Sequence, residues 1–177
     1  MRRIGDLPPG RADVDGAAGS VIQLLVERGE TLAAVESLTG GLLAASVVGV
    51  PGASRAFRGG VVVYATDLKA SLGGVPQDLL AARGPVDPDV AAALAAGGRA
   101  RCAADWCVAT TGVAGPQEQD GKPVGLVFVA VDGPGGAEVR RLQLAGDRQT
   151  IRTGAVTEAL RLLTERLRGA DPERRPG

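Results

Sequence analysis

Histidine is absent from the 177-residue sequence. That one absence excludes a Ser-His-Asp or Cys-His catalytic arrangement within the chain and removes the usual ligand of a catalytic zinc or non-haem iron site. A hydrolase built on this sequence must take its base from Lys, Tyr, Asp or Glu. Lysine is almost absent too, with Lys69 and Lys122 against eighteen arginines. Arginine keeps its proton in a protein whereas a desolvated lysine can lose it, so these two positions are where a neutral amine can arise. Cysteine is limited to Cys102 and Cys107, whose separation matches no common zinc spacing; they read as reduced thiols, one at a helix end and one in the next strand. Formal net charge is zero with both signs mixed, which leaves no basic stripe for nucleic acid. No apolar run is long enough to span a bilayer, and the two N-terminal arginines precede no signal-like apolar segment. The expectation is a cytoplasmic protein with neither nucleic acid nor membrane as partner.

What is present is organised around Val35-Glu36-Ser37-Leu38-Thr39-Gly40-Gly41. The short apolar segment before it suits a strand, and the apolar run Leu42 to Val48 after it suits a buried helix. Two hydroxyls and two glycines turn one sharply into the other, with small residues that let a ligand approach the backbone. The first N–H groups of such a helix favour an anion or a developing oxyanion, with Ser37 at its mouth. The same residues also satisfy a plainer reading, with Ser37 or Thr39 as an N-cap and the glycines as a tight turn.

The remaining pattern predicts helices over Val14 to Arg28, Pro76 to Ala82, Pro88 to Ala103 and Gln149 to Leu167. Strands are expected at Phe57 to Tyr64, Trp106 to Thr110 and Leu126 to Val131, with Glu138 to Leu144 as an edge strand having one solvated face. The β-branched run Val61 to Val63 suggests that the second strand is covered on both faces, and Thr66 is the expected N-cap of a short helix carrying Lys69. These elements define a single three-layer α/β/α domain over residues 12–168 with a mixed, mostly parallel sheet, between mobile tails at 1–11 and 169–177.

Ser37, the Tyr64/Lys69 pair, the Thr111-Gly112-Val113-Ala114-Gly115-Pro116 loop and Gly146-Asp147-Arg148 all fall at strand ends, and in such a sheet they can converge on one edge. With histidine missing, the one consistent catalytic set is Ser37 as nucleophile, Lys69 as proton acceptor and Tyr64 as relay or orienting hydroxyl. The two loops would supply backbone N–H groups to an oxyanion or a phosphate. No metal is needed. A short-chain dehydrogenase reading of Tyr64 and Lys69 is weaker, because they stand five residues apart instead of four and no dinucleotide glycine fingerprint precedes them.

Glu36-Ser37-x-Thr39-Gly40-Gly41, Tyr64 with Lys69, Gly112-Val-Ala-Gly-Pro116, Lys122-Pro-Val-Gly125 and Gly146-Asp-Arg148 occur in the order and approximate spacing of the CinA C-terminal domain family, which the chain resembles from about Val21 to Leu167. Characterised bacterial members of that family are nicotinamide-nucleotide amidohydrolases. The resemblance implies hydrolysis of nicotinamide mononucleotide to nicotinic acid mononucleotide and ammonia, without a cofactor, by a Ser37-Tyr64-Lys69 set. It also implies substrate contacts at Glu36, Thr39, Gly40, Gly41, Thr111, Gly112, Ala114, Gly115 and Arg148, with Arg148 near the phosphate. Relatives are oligomeric, so a homo-oligomer is expected, a dimer first, and the chain would be the family's domain standing alone. Where the family carries a glycine pair after Gly-Pro, this sequence has Gln117-Glu118-Gln119-Asp120-Gly121, whose two carboxylates suit a phosphate site only if they point away. Two other readings stay open: a hydrolase of another small amide or ester, and a non-catalytic nucleotide-binding or regulatory module.

Overall fold

A computed structural model describes residues 10–170. Helix α1 (Arg11–Arg28) leads into β1 (Leu32–Glu36) and α2 (Leu42–Val48), then β2 (Phe57–Val62), α3 (Thr66–Ser71), α4 (Gln77–Arg83), α5 (Pro88–Cys102), β3 (Trp106–Gly112), β4 (Leu126–Gly133), β5 (Gly136–Gln143) and α6 (Arg148–Gly169). The sheet order is β2-β1-β3-β4-β5. β1 pairs parallel with β2 and β3, and β4 runs antiparallel to β3 and β5. Four of the five strands therefore point the same way, although only half of the pairings are parallel.

Side-chain alternation along these strands divides the core in two. Leu32, Ala34, Trp106, Val108, Val127 and Val129 face α1, α2 and α6, while Ala33, Val35, Cys107, Ala109, Phe128 and Ala130 face the layer containing α5. This is the expected three-layer α/β/α domain with a mixed sheet. The alanine-rich α5 lies close on that second face because Gly98 has no side chain: a Cβ there would stand 2.3 Å from Val35 Cγ2 and 2.7 Å from Cys107 Sγ. Cys102 ends α5 and Cys107 is buried in β3, both as free thiols.

Three local expectations change. β2 is an edge strand paired only with β1, and its residues alternate between half-buried and exposed instead of being covered on both faces. Its β-branched run suits a pleated surface as well as it suits an interior. Helix α3 is capped at Ala65 without a side-chain bond, and Thr66 is its first helical residue. The first helix starts at Arg11, and Gly169 still belongs to α6, so neither lies in a tail. The remainder of the expected tails, residues 1–9 and 171–177, lies outside the described residues.

Candidate active site

Strands β1, β2 and β3 end together, and the segments that leave them surround one cavity of about 170 Å³. Ser37 comes directly after β1, Tyr64 lies just past β2, Thr111 and Gly112 close β3, and Arg148 opens α6 after β5; all line the cavity with Lys69. The floor is buried: Lys69 is 2% exposed, and Ser37 and Thr111 are also buried. The rim is open, with Tyr64, Gln117 and Gln119 exposed. A larger cleft of about 620 Å³ between α1, α2 and the start of α6 brings together Arg11, Asp15, Ser46 and Gln149 but no buried nucleophile and base. The Ser37 cavity is the site with chemistry.

Lys69 projects from α3 so that its Nζ lies 2.8 Å from Ser37 Oγ and 3.0 Å from the Val63 carbonyl oxygen, to which it donates. Burial disfavours its ammonium form and brings its pKa down from 10.5 to about 8. A neutral Nζ can donate to Val63 and accept from the Ser37 hydroxyl at the same time, which is the arrangement a general base needs.

The Ser37 turn is held from inside, and here the structure corrects the expected anion site. Glu36 is 1% exposed, and its carboxylate accepts from the backbone N–H groups of Gly41, Leu43 and Ala44 at 3.0, 3.0 and 2.8 Å. The start of α2 thus already has its anion, supplied by the residue before Ser37. Glu36, Thr39, Gly40 and Gly41 do not line the cavity. Thr39 Oγ1 is bonded to Thr110 Oγ1 at 2.8 Å, and Gly40 and Gly41 adopt positive φ to let the chain fold back over the carboxylate. Arg152 of α6 ties the turn down a second time by donating to the Leu38 and Thr39 carbonyl oxygens.

Donors remain elsewhere. Ser37 N–H donates to the Thr110 carbonyl, but among the described residues nothing accepts from the N–H groups of Leu38, Ala114 and Gly115, and all three residues line the cavity. The expected contacts at Thr111, Gly112, Ala114, Gly115 and Arg148 are therefore brought to the site, although the Thr111 hydroxyl itself donates to the Pro85 carbonyl. Tyr64 departs from the expected relay. Its hydroxyl accepts from Arg148 Nη2 at 2.7 Å and forms no hydrogen bond with Ser37 or Lys69, while Arg148 Nη1 donates to the Gly115 carbonyl at 2.7 Å. The guanidinium bridges two sides of the rim. Gln117 and Gln119, from the segment expected beside the phosphate site, also line the cavity, as do Leu38, Pro85 and Val86, which were not expected there; the small-residue signal that marks a turn says nothing about its neighbours' side chains. No helix among the described residues is long and apolar enough to cross a membrane, and no cluster of three or more Cys, Asp or Glu that could hold a metal is found among them.

The fold and this edge define an α/β/α domain with a buried serine-lysine pair where its parallel strands end. The chain belongs to the CinA C-terminal domain family, whose model matches residues 15–167. It is 54% identical over 160 residues to a CinA-like protein of Frankia casuarinae, covering 90% of this chain and 37% of that one. To a CinA-like protein of Anaeromyxobacter sp. it is 50% identical, covering 84% and 36%. The chain thus spans well under half the length of these curated relatives. Among solved structures it superimposes on competence damage-inducible protein A from Klebsiella pneumoniae with TM-score 0.86 at 31% identity, covering 89% of this chain and 99% of that one. A competence/damage inducible protein from Agrobacterium tumefaciens gives 0.84 at 32%, covering 92% and 99%.

Proposed function

We propose that the chain hydrolyses the carboxamide of nicotinamide mononucleotide to nicotinic acid mononucleotide and ammonia by acyl transfer through Ser37. The observation that carries this reading is the 2.8 Å contact between Ser37 Oγ and a buried Lys69 whose pKa burial brings to about 8. The activity of characterised members of the family supports the choice of substrate.

Neutral Lys69 takes the Ser37 proton as Oγ bonds to the carboxamide carbon. The carbonyl oxygen becomes an oxyanion, for which the N–H groups of Leu38, Ala114 and Gly115, on residues that line the cavity and without an acceptor among the described residues, are the available donors. The Lys69 ammonium then returns its proton to the leaving nitrogen, the C–N bond breaks, ammonia departs and an ester on Ser37 remains. Lys69, neutral again, deprotonates a water that attacks the ester, and the proton passes back to Ser37 Oγ as the acid leaves. Glu36 holds the turn through α2, and Tyr64 and Arg148 stand at the rim, Arg148 being the cation available to a phosphate.

Ammonia release from nicotinamide mononucleotide by the purified protein, beside Ser37→Ala and Lys69→Ala, tests the reading. Release by the parent and loss in both folded variants is expected; a folded parent that releases none overturns it. A second reading, hydrolysis of a smaller amide or ester, is favoured by one observation: a cavity of 170 Å³ takes the amide end of a nucleotide and not the whole of it. Turnover of a panel of small amides and esters, with the nucleotide left unchanged, would select it.

A further inference from the structure

The segment from Gln117 to Lys122, where this sequence departs from its family, is an ordered hairpin. Gln119 and Lys122 exchange backbone hydrogen bonds at 3.1 and 2.8 Å, and the two residues between them, Asp120 and Gly121, both have left-handed φ values of 50° and 70°. Asp-Gly is the pair that a tight turn with two positive φ angles prefers. Gln117 and Gln119 line the Ser37 cavity, and neither Glu118 nor Asp120 does, so both carboxylates that would repel a phosphate lie outside its lining.

The two carboxamides also form no hydrogen bond among the described residues, whereas Gln143 and Gln149 are each engaged, with Val124 and Arg152. They stand on the exposed rim of the cavity whose buried floor carries Ser37 and Lys69. A carboxamide both donates and accepts, so a vicinal diol can use both its N–H and its oxygen, whereas a fully charged phosphate, whose oxygens only accept, uses the N–H alone. Resting on the reading of this site as a carboxamide hydrolase, we infer that Gln117 and Gln119 are specificity-determining residues that hydrogen-bond the ribose hydroxyls of a ribosyl carboxamide whose amide end lies at Ser37.

The test is calorimetric titration into the Ser37→Ala protein, which binds without turnover, with nicotinamide mononucleotide and with free nicotinamide as probes. Adding Gln117→Ala and Gln119→Ala is expected to weaken the mononucleotide on the order of 25-fold, two neutral hydrogen bonds at about fivefold each. Free nicotinamide should bind the two proteins alike, and Glu118→Ala should leave the mononucleotide unchanged. Equal mononucleotide affinity with and without the glutamines overturns the inference, as does failure of the mononucleotide to bind at all. Ammonia release by the parent separates the two claims. Release with glutamine-insensitive binding sinks the rim assignment alone, and glutamine-dependent binding without release sinks the hydrolase reading alone.

Discussion

Replacing Lys69 by Met keeps the side chain's length and removes its charge, and the structure fixes how stability should respond to pH. In the native state burial lowers the Lys69 pKa from 10.5 to about 8. Below pH 8 both native and unfolded chains carry the proton, and the native state bears the full cost of a desolvated ammonium. Between pH 8 and 10.5 the native state sheds the proton while the unfolded chain keeps it, so the unfolding free energy rises with pH. At about 1.4 kcal/mol per pH unit of displacement, the rise amounts to about 3 kcal/mol by pH 10.5. Cys107 works in the opposite direction. Burial pushes its thiol well above the ordinary 9.0, so its contribution is present below that value and is lost as pH rises past it. The parent's own profile mixes the two, and the parent-minus-variant difference isolates Lys69.

Urea unfolding of parent and Lys69→Met followed by circular dichroism from about pH 6 to 10.5 reads that difference. The variant strands the Val63 carbonyl, a pH-independent cost of about 1–3 kcal/mol, so the slope carries the test and the offset does not. A difference that stays flat between pH 8 and 10.5 would refute the claim that Lys69 is held as a partly neutral amine. The same amine should govern turnover, with kcat/KM rising tenfold per pH unit up to about pH 8 and levelling above it. In the variant kcat should fall by about 10²–10⁴-fold at and above pH 8, by less at lower pH, and lose this pH dependence.

Contacts around the cavity set two further outcomes. Glu36→Gln replaces a charged acceptor of three backbone N–H groups by an amide with a single acceptor oxygen; it should lower unfolding free energy by about 1–3 kcal/mol and reduce kcat more than it raises KM, because Ser37 sits on the turn that Glu36 anchors. Urea unfolding and steady-state kinetics check the two effects. Arg148→Ala removes the cation from the rim, and in steady-state assays it should raise KM for a phosphate-bearing carboxamide by about 10–100-fold, the loss of a charge-assisted bond, while KM for free nicotinamide stays the same.

The parts of this molecule that are legible in the sequence are those decided over a few residues or by exclusion. Helix α2 from Leu42 to Val48 is encoded in an apolar run broken only by Ser46, and the β4–β5 hairpin in the turn chemistry at Gly133 to Gly136. The Ser37–Lys69 pair emerges from the missing histidine together with the scarcity of lysine, across 32 positions of sequence that no periodicity connects. The features that stay hidden depend on geometry between elements. Tyr64 and Arg148 meet across 84 positions, and nothing local to either distinguishes a relay hydroxyl from one that accepts from a guanidinium. The exposure of β2 results from its place at the sheet edge, which its Val-rich pattern does not encode.

Glu36 is the most instructive case, because a strand-turn-helix rich in small residues is expected to present the bare N-terminus of a helix to an anion. Whether those N–H groups face outward or inward depends on whether the chain itself supplies a carboxylate that can fold back within five to eight residues, and Glu36 does so. In the proposed mechanism a filled helix start leaves oxyanion binding to Leu38 and the Ala114-Gly115 loop, groups that come from two different strand ends. The proposed oxyanion site would then form only when β1 and β3 are in register, as Glu36 opposite Thr110 places them. Chemistry that could have been local to one motif is thereby made conditional on the whole sheet being folded.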